Sequence, residues 1–192
     1  VSLHAVMARL KLDQSLGYVT ALSGGPDSTA LALLTQRYAD AAGKNHHAVI
    51  VDHGLRDGSG NEAERVQTRL RRFGVASDII QITEPRPTAG LQEWARTNRH
   101  HVLLSAARQR KAALLFAHHA SDQAETVAMR LLKSSGLNGL GGIACRRMQH
   151  DVVVARPVLG WMPDQLKAVC HHLDCDFEID PSNQNHQFER VR

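Results

Sequence analysis

The segment Leu22–Ser28, LSGGPDS, places two glycines, a proline, an aspartate and two serines between an apolar run and a helical pattern. Gly24 and Gly25 can adopt positive φ and leave no side chain between their amides and an anion. Pro26 suits the first helical position, where its missing N–H costs nothing. Unpaired amides at a helix start, joined by the hydroxyls of Ser23 and Ser28, make a phosphate site. Asp27 beside a phosphate implies a divalent cation between them, and Mg2+ takes such a carboxylate. A Gly-rich turn before a capped helix is the plain alternative for these residues in isolation. No Lys-Ser/Thr follows a GxxxxG pattern, so the loop is not a Walker A motif.

A second group of residues able to do chemistry is AHHASDQAET, residues 117–126. Asp122 and Glu125, three apart, share one side of a helix start, where the dipole favours acids whether or not they have a function. His118 and His119 precede them. On the same helix Ala124, Val127, Ala128, Leu131 and Leu132 recur as an apolar stripe expected to face the core. The chain has four His-His doublets, at 46–47, 100–101, 118–119 and 171–172, none with the HExxH or paired-Cys spacing of zinc sites. Histidine-held metal is therefore not expected. His53, in VDHGLR, is placed to touch a nucleotide or to brace a turn. Arg65, Arg69 and Arg72 form a basic stripe that could follow phosphates or be a solvated face.

The elements that must position these residues alternate. YVTAL (18–22), HAVIV (47–51), DIIQI (78–82), ALLFA (113–117) and VVVA (152–155) are short, nearly continuous apolar runs, the mark of parallel strands covered on both faces. Helical patterns at 27–42, 60–73, 90–109, 122–134 and 163–173 separate or follow them. The expected fold is α/β, a doubly wound, Rossmann-like parallel sheet of five strands with helices on both faces. Ligands bind such sheets beyond the carboxyl ends of the strands, and each motif above falls at such an end.

Composition narrows the class. At 192 residues and 43% apolar content the chain can bury one core. No run of 18 apolar residues occurs, and the amphipathic start VSLHAVMARLKLDQS lacks a signal peptide's apolar centre, so a cytoplasmic protein with no membrane segment is expected. Cys145, Cys170 and Cys175 form no CxxC and are expected as reduced thiols. A formal charge of +4 is compatible with a polyanionic partner. Two Trp, two Tyr and four Phe are too few for binding that relies on stacked bases.

SGGPDS resembles the PP-loop, SGGxDS, of the N-type ATP pyrophosphatases (the adenine nucleotide alpha hydrolase fold type). With VDHGLR (51–56), AHHASDQAET, SSGLNGLGGI (134–143), ARPVL (155–159) and DPSNQNHQFERVR (180–192), in this order, the whole chain resembles the N-terminal catalytic domain of the tRNA(Ile)-lysidine synthetases. That resemblance implies ATP and Mg2+ as cofactors, and tRNA(Ile) and free L-lysine as substrates. It implies adenylation of a wobble cytidine at its C2 oxygen with loss of pyrophosphate, then displacement of AMP by the lysine ε-amine. It implies Ser23, Gly24, Gly25, Pro26, Asp27, Ser28 and His53 around the nucleotide, with Asp27 on the metal. Asp122 and Glu125 would hold the amine, His118 would take part, and Arg96, with Arg99 second, would contact phosphate or substrate. Arg190 and Arg192 match a basic cluster near the substrate. The family's C-terminal tRNA-binding domains are not expected within residues 1–192, and a homodimer is compatible with the sequence.

The chain departs from the family at one place: the block usually reads HHxDDQxET, and Ser121 replaces the first Asp. Other enzymes with this loop are the alternatives. A tRNA cytidine thiolase would use paired cysteines, and NAD or GMP synthetase would lack the later motifs. A nucleotide-binding module resembling the universal stress proteins would lack the acid pair.

Overall fold

The computed structural model describes residues 2–55, 58–132 and 141–178. Six strands form one sheet in the order β3-β2-β1-β4-β6-β5. They are β1 (Gly17–Leu22), β2 (Asn45–Asp52), β3 (Ser77–Gln81), β4 (Ala113–Leu115), β5 (Arg146–Gln149) and β6 (Val152–Ala155). The first four and β6 pair in parallel, and only β5 is antiparallel, against β6. The helices are α1 (Leu3–Arg9), α2 (Pro26–Ala41), α3 (Ser59–Arg71), α4 (Leu91–Gln109), α5 (Ala120–Leu132) and α6 (Pro163–His172).

All six residues of β1 are buried, as the central position in the sheet demands. Alternation sends Tyr18 toward α1, α2 and α6, where it packs with Met7, Leu31 and Leu166. Val19 and Ala21 go to the other face, against Leu103 and Ala107 of α4. A third cluster joins Leu22, Leu33 and Ile50 to Val66 and Leu70 of α3. His46 is a polar member of this interior. Its Nδ1 lies 2.9 Å from Gln36 Oε1 and its Nε2 3.0 Å from Thr20 Oγ1, which ties β1, β2 and α2 together. Burial pushes its pKa down to about 3.

Two expectations change. The sheet has six strands rather than five, because β5, RRMQ, carries no apolar run and its residues are largely exposed. It is an edge strand, created by a two-residue hairpin turn in which His150 and Asp151 both take positive φ, at 46° and 65°. The apolar stripe of α5 does not reach the core. None of its residues is buried, and Leu131 and Leu132 are 58% and 83% exposed. Periodicity reports that a helix has two unlike faces, not that a partner covers one of them. The N-terminal amphipathic stretch forms α1, whose start is capped by Ser2 Oγ accepting from the Ala5 amide. Among the described residues no helix is long and apolar enough to cross a membrane.

Candidate active site at the carboxyl edge of the sheet

The loop after β1 is held in shape from within. Ser23 N donates to Ser28 Oγ at 3.1 Å, the two serine hydroxyls lie 3.0 Å apart, and Thr29 Oγ1 donates to the Gly24 carbonyl at 3.3 Å. Gly24 has φ +86°, and a Cβ there would lie 2.7 Å from Val66 Cγ2, so a side chain is excluded twice over. The Glu178 amide donates to the Gly24 carbonyl, and the Glu178 carboxylate pairs with Arg69 at 2.7 Å. Arg69 thus braces the loop, while Arg65 and Arg72 of the same stripe are exposed. Helix α2 begins with Pro26 in its first turn and with Gly25 at its cap, which has no side chain to offer the first amides.

The two histidines that follow β4 divide the crevice. His119 turns toward α2 and stands between two acids, its Nε2 3.7 Å from Asp27 Oδ2 and its Nδ1 3.5 Å from Asp122 Oδ2. Asp122 Oδ2 also accepts from the His119 amide at 2.9 Å, which fixes the carboxylate at the start of α5. Asp27 Oδ1 and His119 Nδ1 are buried without a hydrogen-bond partner among the described residues. Burial raises the Asp27 pKa; the Asp122 charge adds to this, and His119 and Lys167 oppose it. An orphaned carboxylate oxygen within the loop after β1 suits a hard cation. Among the described residues no three His, Cys, Asp or Glu side chains form a metal cage. Mg2+ fits such a site because it takes one or two carboxylates and fills its shell with phosphate oxygens and water.

His118 turns to the opposite side. Arg156 Nε donates to its Nδ1 at 3.2 Å, and the same guanidinium lies 5.7 Å over the Phe116 ring and donates from Nη1 to the Ala144 carbonyl. A guanidinium has no acceptor, so His118 Nδ1 accepts and the ring proton sits on Nε2. Burial and the Arg156 charge push the His118 pKa down to about 4. Arg96 and Arg99 of α4 complete this wall. Burial and Arg96 both lower the Arg99 pKa, and burial and Arg99 lower that of His53. No ion pair engages Arg96, Arg99 or Arg156 among the described residues. A cluster of like charges with no counterion among the described residues is able to attract an anion.

The structure brings Ser23–Ser28, Asp27, Asp122 and the Arg96–Arg99–His118 group to one edge, with His53 bordering it. Glu125 lies one turn beyond Asp122 on α5, half-buried. The turn after β2 is braced by Asp52, whose Oδ1 accepts from the Gly54 amide at 2.8 Å, and His53 Nδ1 is buried with no hydrogen-bond partner among the described residues. Ser121 is exposed. Arg190 and Arg192 lie outside the described residues. Sequence reasoning missed His119 and Arg156. The available signal was position alone: the His118–His119 doublet comes shortly after β4, and Arg156 follows β6 directly.

Gln123 and Arg130 of α5 fasten the segment after residue 140. Gln123 Oε1 accepts from the Ile143 amide at 2.6 Å, and Arg130 Nη1 donates to the Gly142 carbonyl at 2.9 Å.

A family model described as a PP-loop domain matches residues 3–192. The chain is 42% identical over 177 residues to a tRNA(Ile)-lysidine synthase of Methylobacterium nodulans, covering 92% of this chain and 52% of that protein. It spans about half the length of the curated relatives it matches. Among solved structures, the U34-tRNA thiolase NcsA from Methanococcus maripaludis superposes with a TM-score of 0.77 at 18% identity, over 94% of this chain and 65% of that one. The NH3-dependent NAD synthetase from Campylobacter jejuni superposes with a TM-score of 0.57 at 17% identity, over 99% and 76%. At such identities the structural likeness shows the fold alone.

Proposed function

The chain belongs to the PP-loop domain family, and from that premise we propose that it is the catalytic domain of a tRNA(Ile)-lysidine synthetase. It ligates lysine to C2 of the wobble cytidine in a CAU anticodon at the expense of ATP. The similarity to a lysidine synthase at 42% identity supports this choice over other members of the family. The observation that carries the chemistry is the divided crevice, with acids on the α2 side and, on the α4 side, cations that make no ion pair among the described residues.

The loop Ser23–Ser28 holds the nucleotide phosphates by its amides and hydroxyls. Asp27 would hold Mg2+, which supplies charge neutralisation for the departing pyrophosphate. Arg96, Arg99 and Arg156 stabilise charge that develops on the phosphoryl oxygens as the cytosine C2 oxygen attacks. His118, neutral with its proton on Nε2, offers a hydrogen bond rather than a base. Asp122 and Glu125 attract the lysine ammonium and position it, and a carboxylate of this pair accepts the proton that the amine must lose. The neutral amine then adds at C2 and AMP leaves with the oxygen.

The cysteines support this reading over sulfur transfer. Cys170 and Cys175 are buried, Cys170 donates to the Pro26 carbonyl at 3.5 Å, and burial pushes its pKa up to about 12, which keeps it a thiol. Incubation with ATP, Mg2+, labelled lysine and a CAU-anticodon isoleucine tRNA tests the proposal, with label expected in the RNA. Pyrophosphate release with no label in the RNA would point to a different acceptor, and neither would leave a nucleotide-binding module.

A further inference from the structure

The edge strand β5 divides its arginines between the two faces of the sheet. Arg147 pairs across the strand with Val154 and so shares the face of α4, where burial first, and the Arg147 charge second, lower the proton affinity of Arg156. Arg146, opposite Ala155, shares the other face. Its side chain lines a groove of about 470 Å3 under the amino ends of β4 and β6 with Lys11, Lys111 and Arg108, in which Asp151 is the one acid among the described residues. Lys11, Lys111, Arg146 and Arg147 make no ion pair among the described residues. The positive field of the crevice therefore continues around the β5 edge of the sheet and down to the amino ends of β4 and β6.

A nucleotide held by the loop after β1 cannot account for this strip. β5 stands three strand spacings from β1, roughly 14 Å away. Cations spread over that distance and around a corner match a polymer that repeats its anion. The scarcity of aromatic side chains fits a track that reads phosphates and not bases.

We propose that the β5 edge and the groove beneath it, through Arg147, Arg146, Lys11 and Lys111, form a docking track for the phosphodiester backbone of an RNA whose target base lies in the crevice. This rests on the RNA-modifying reading above and adds to it the surface by which the strand is held.

The test is the salt dependence of tRNA affinity, measured from about 50 to 200 mM KCl, where weak phosphate-driven binding is resolved. Wild type is compared with the Lys11→Gln, Lys111→Gln, Arg146→Gln triple variant, whose melting temperature checks folding. The variant is expected to reduce the slope of log K against log salt by about 2 to 3, while ATP affinity is unchanged. An unchanged slope in a folded variant overturns the track and leaves the functional reading standing. Wild type that binds ATP but shows no salt-dependent affinity for tRNA overturns both. Self-association of the variant with unchanged RNA affinity overturns the track too, by showing that these cations only guard an open edge.

Discussion

Replacing Arg156 by methionine keeps an apolar stem over Phe116 and removes the guanidinium that donates to His118 Nδ1. His118 titrates near 4 because burial, first, and the Arg156 charge, second, both oppose a second proton on its ring. Deleting the second cause leaves the first, so recovery toward the ordinary value is partial, and the midpoint is expected to rise by about one pH unit. The ring is followed by NMR through its carbon-bound protons as pH is varied, and its nitrogen shifts report the tautomer. Wild type should show a neutral ring at pH 7 with the proton on Nε2, and the variant a mixture of tautomers. Linkage gives a second readout. Between pH 6.5 and about 4 the unfolded chain binds a proton at this position that the folded chain refuses, so wild-type stability falls as pH falls through that window. The variant should lose stability less steeply there. A folded variant whose His118 midpoint stays at or below the wild-type value would refute the role assigned to Arg156.

Gly24→Ala should cost on the order of 2 to 3 kcal/mol in urea unfolding, from the left-handed backbone and from crowding against buried Val66, and should weaken nucleotide binding as well. Asp27→Asn should leave the melting temperature of the free protein level or slightly raised, because it removes a charge that burial and Asp122 already disfavour. The same variant should lose most of the melting-temperature gain given by Mg2+ and ATP together. His46 stays neutral down to about pH 3 in the folded chain, against about 6.5 unfolded, so it subtracts up to about 1.4 kcal/mol per pH unit as pH falls below 6.5. His46→Gln should flatten that part of the stability profile measured by urea unfolding between pH 7 and pH 5.

The parallel core strands were legible because burial on both faces forces continuous apolar runs, as in GYVTAL of β1, and the loop Ser23–Ser28 because glycines and a proline punctuate a strand–helix junction. β5 was not legible. An edge strand buries little, so RRMQ carries no apolar signature, and only the turn His150–Asp151 creates it. The stripe of α5 misled for the converse reason: amphipathicity is a local property, while burial depends on what another segment brings. Within the site, sequence located Asp27, Asp122 and His118 but not the sides they face. His119 facing Asp27, and Arg156 capping His118 from 38 residues away, are consequences of tertiary register that spacing along the chain does not encode.

The proposed lysine ligation has one crevice bind ATP on the Ser23–Ser28 loop and deliver lysine, held by Asp122 and Glu125, to a nucleobase activated there. Its most direct test is incorporation of labelled lysine into a CAU-anticodon isoleucine tRNA by wild type and by Asp122→Asn, each with ATP and Mg2+, alongside pyrophosphate release. Lysine is expected in the RNA with wild type, and with Asp122→Asn pyrophosphate release that persists while lysine transfer falls by more than tenfold. Lysine transfer at the wild-type rate in a folded Asp122→Asn protein, or no incorporation by wild type under conditions where ATP is bound, would contradict it.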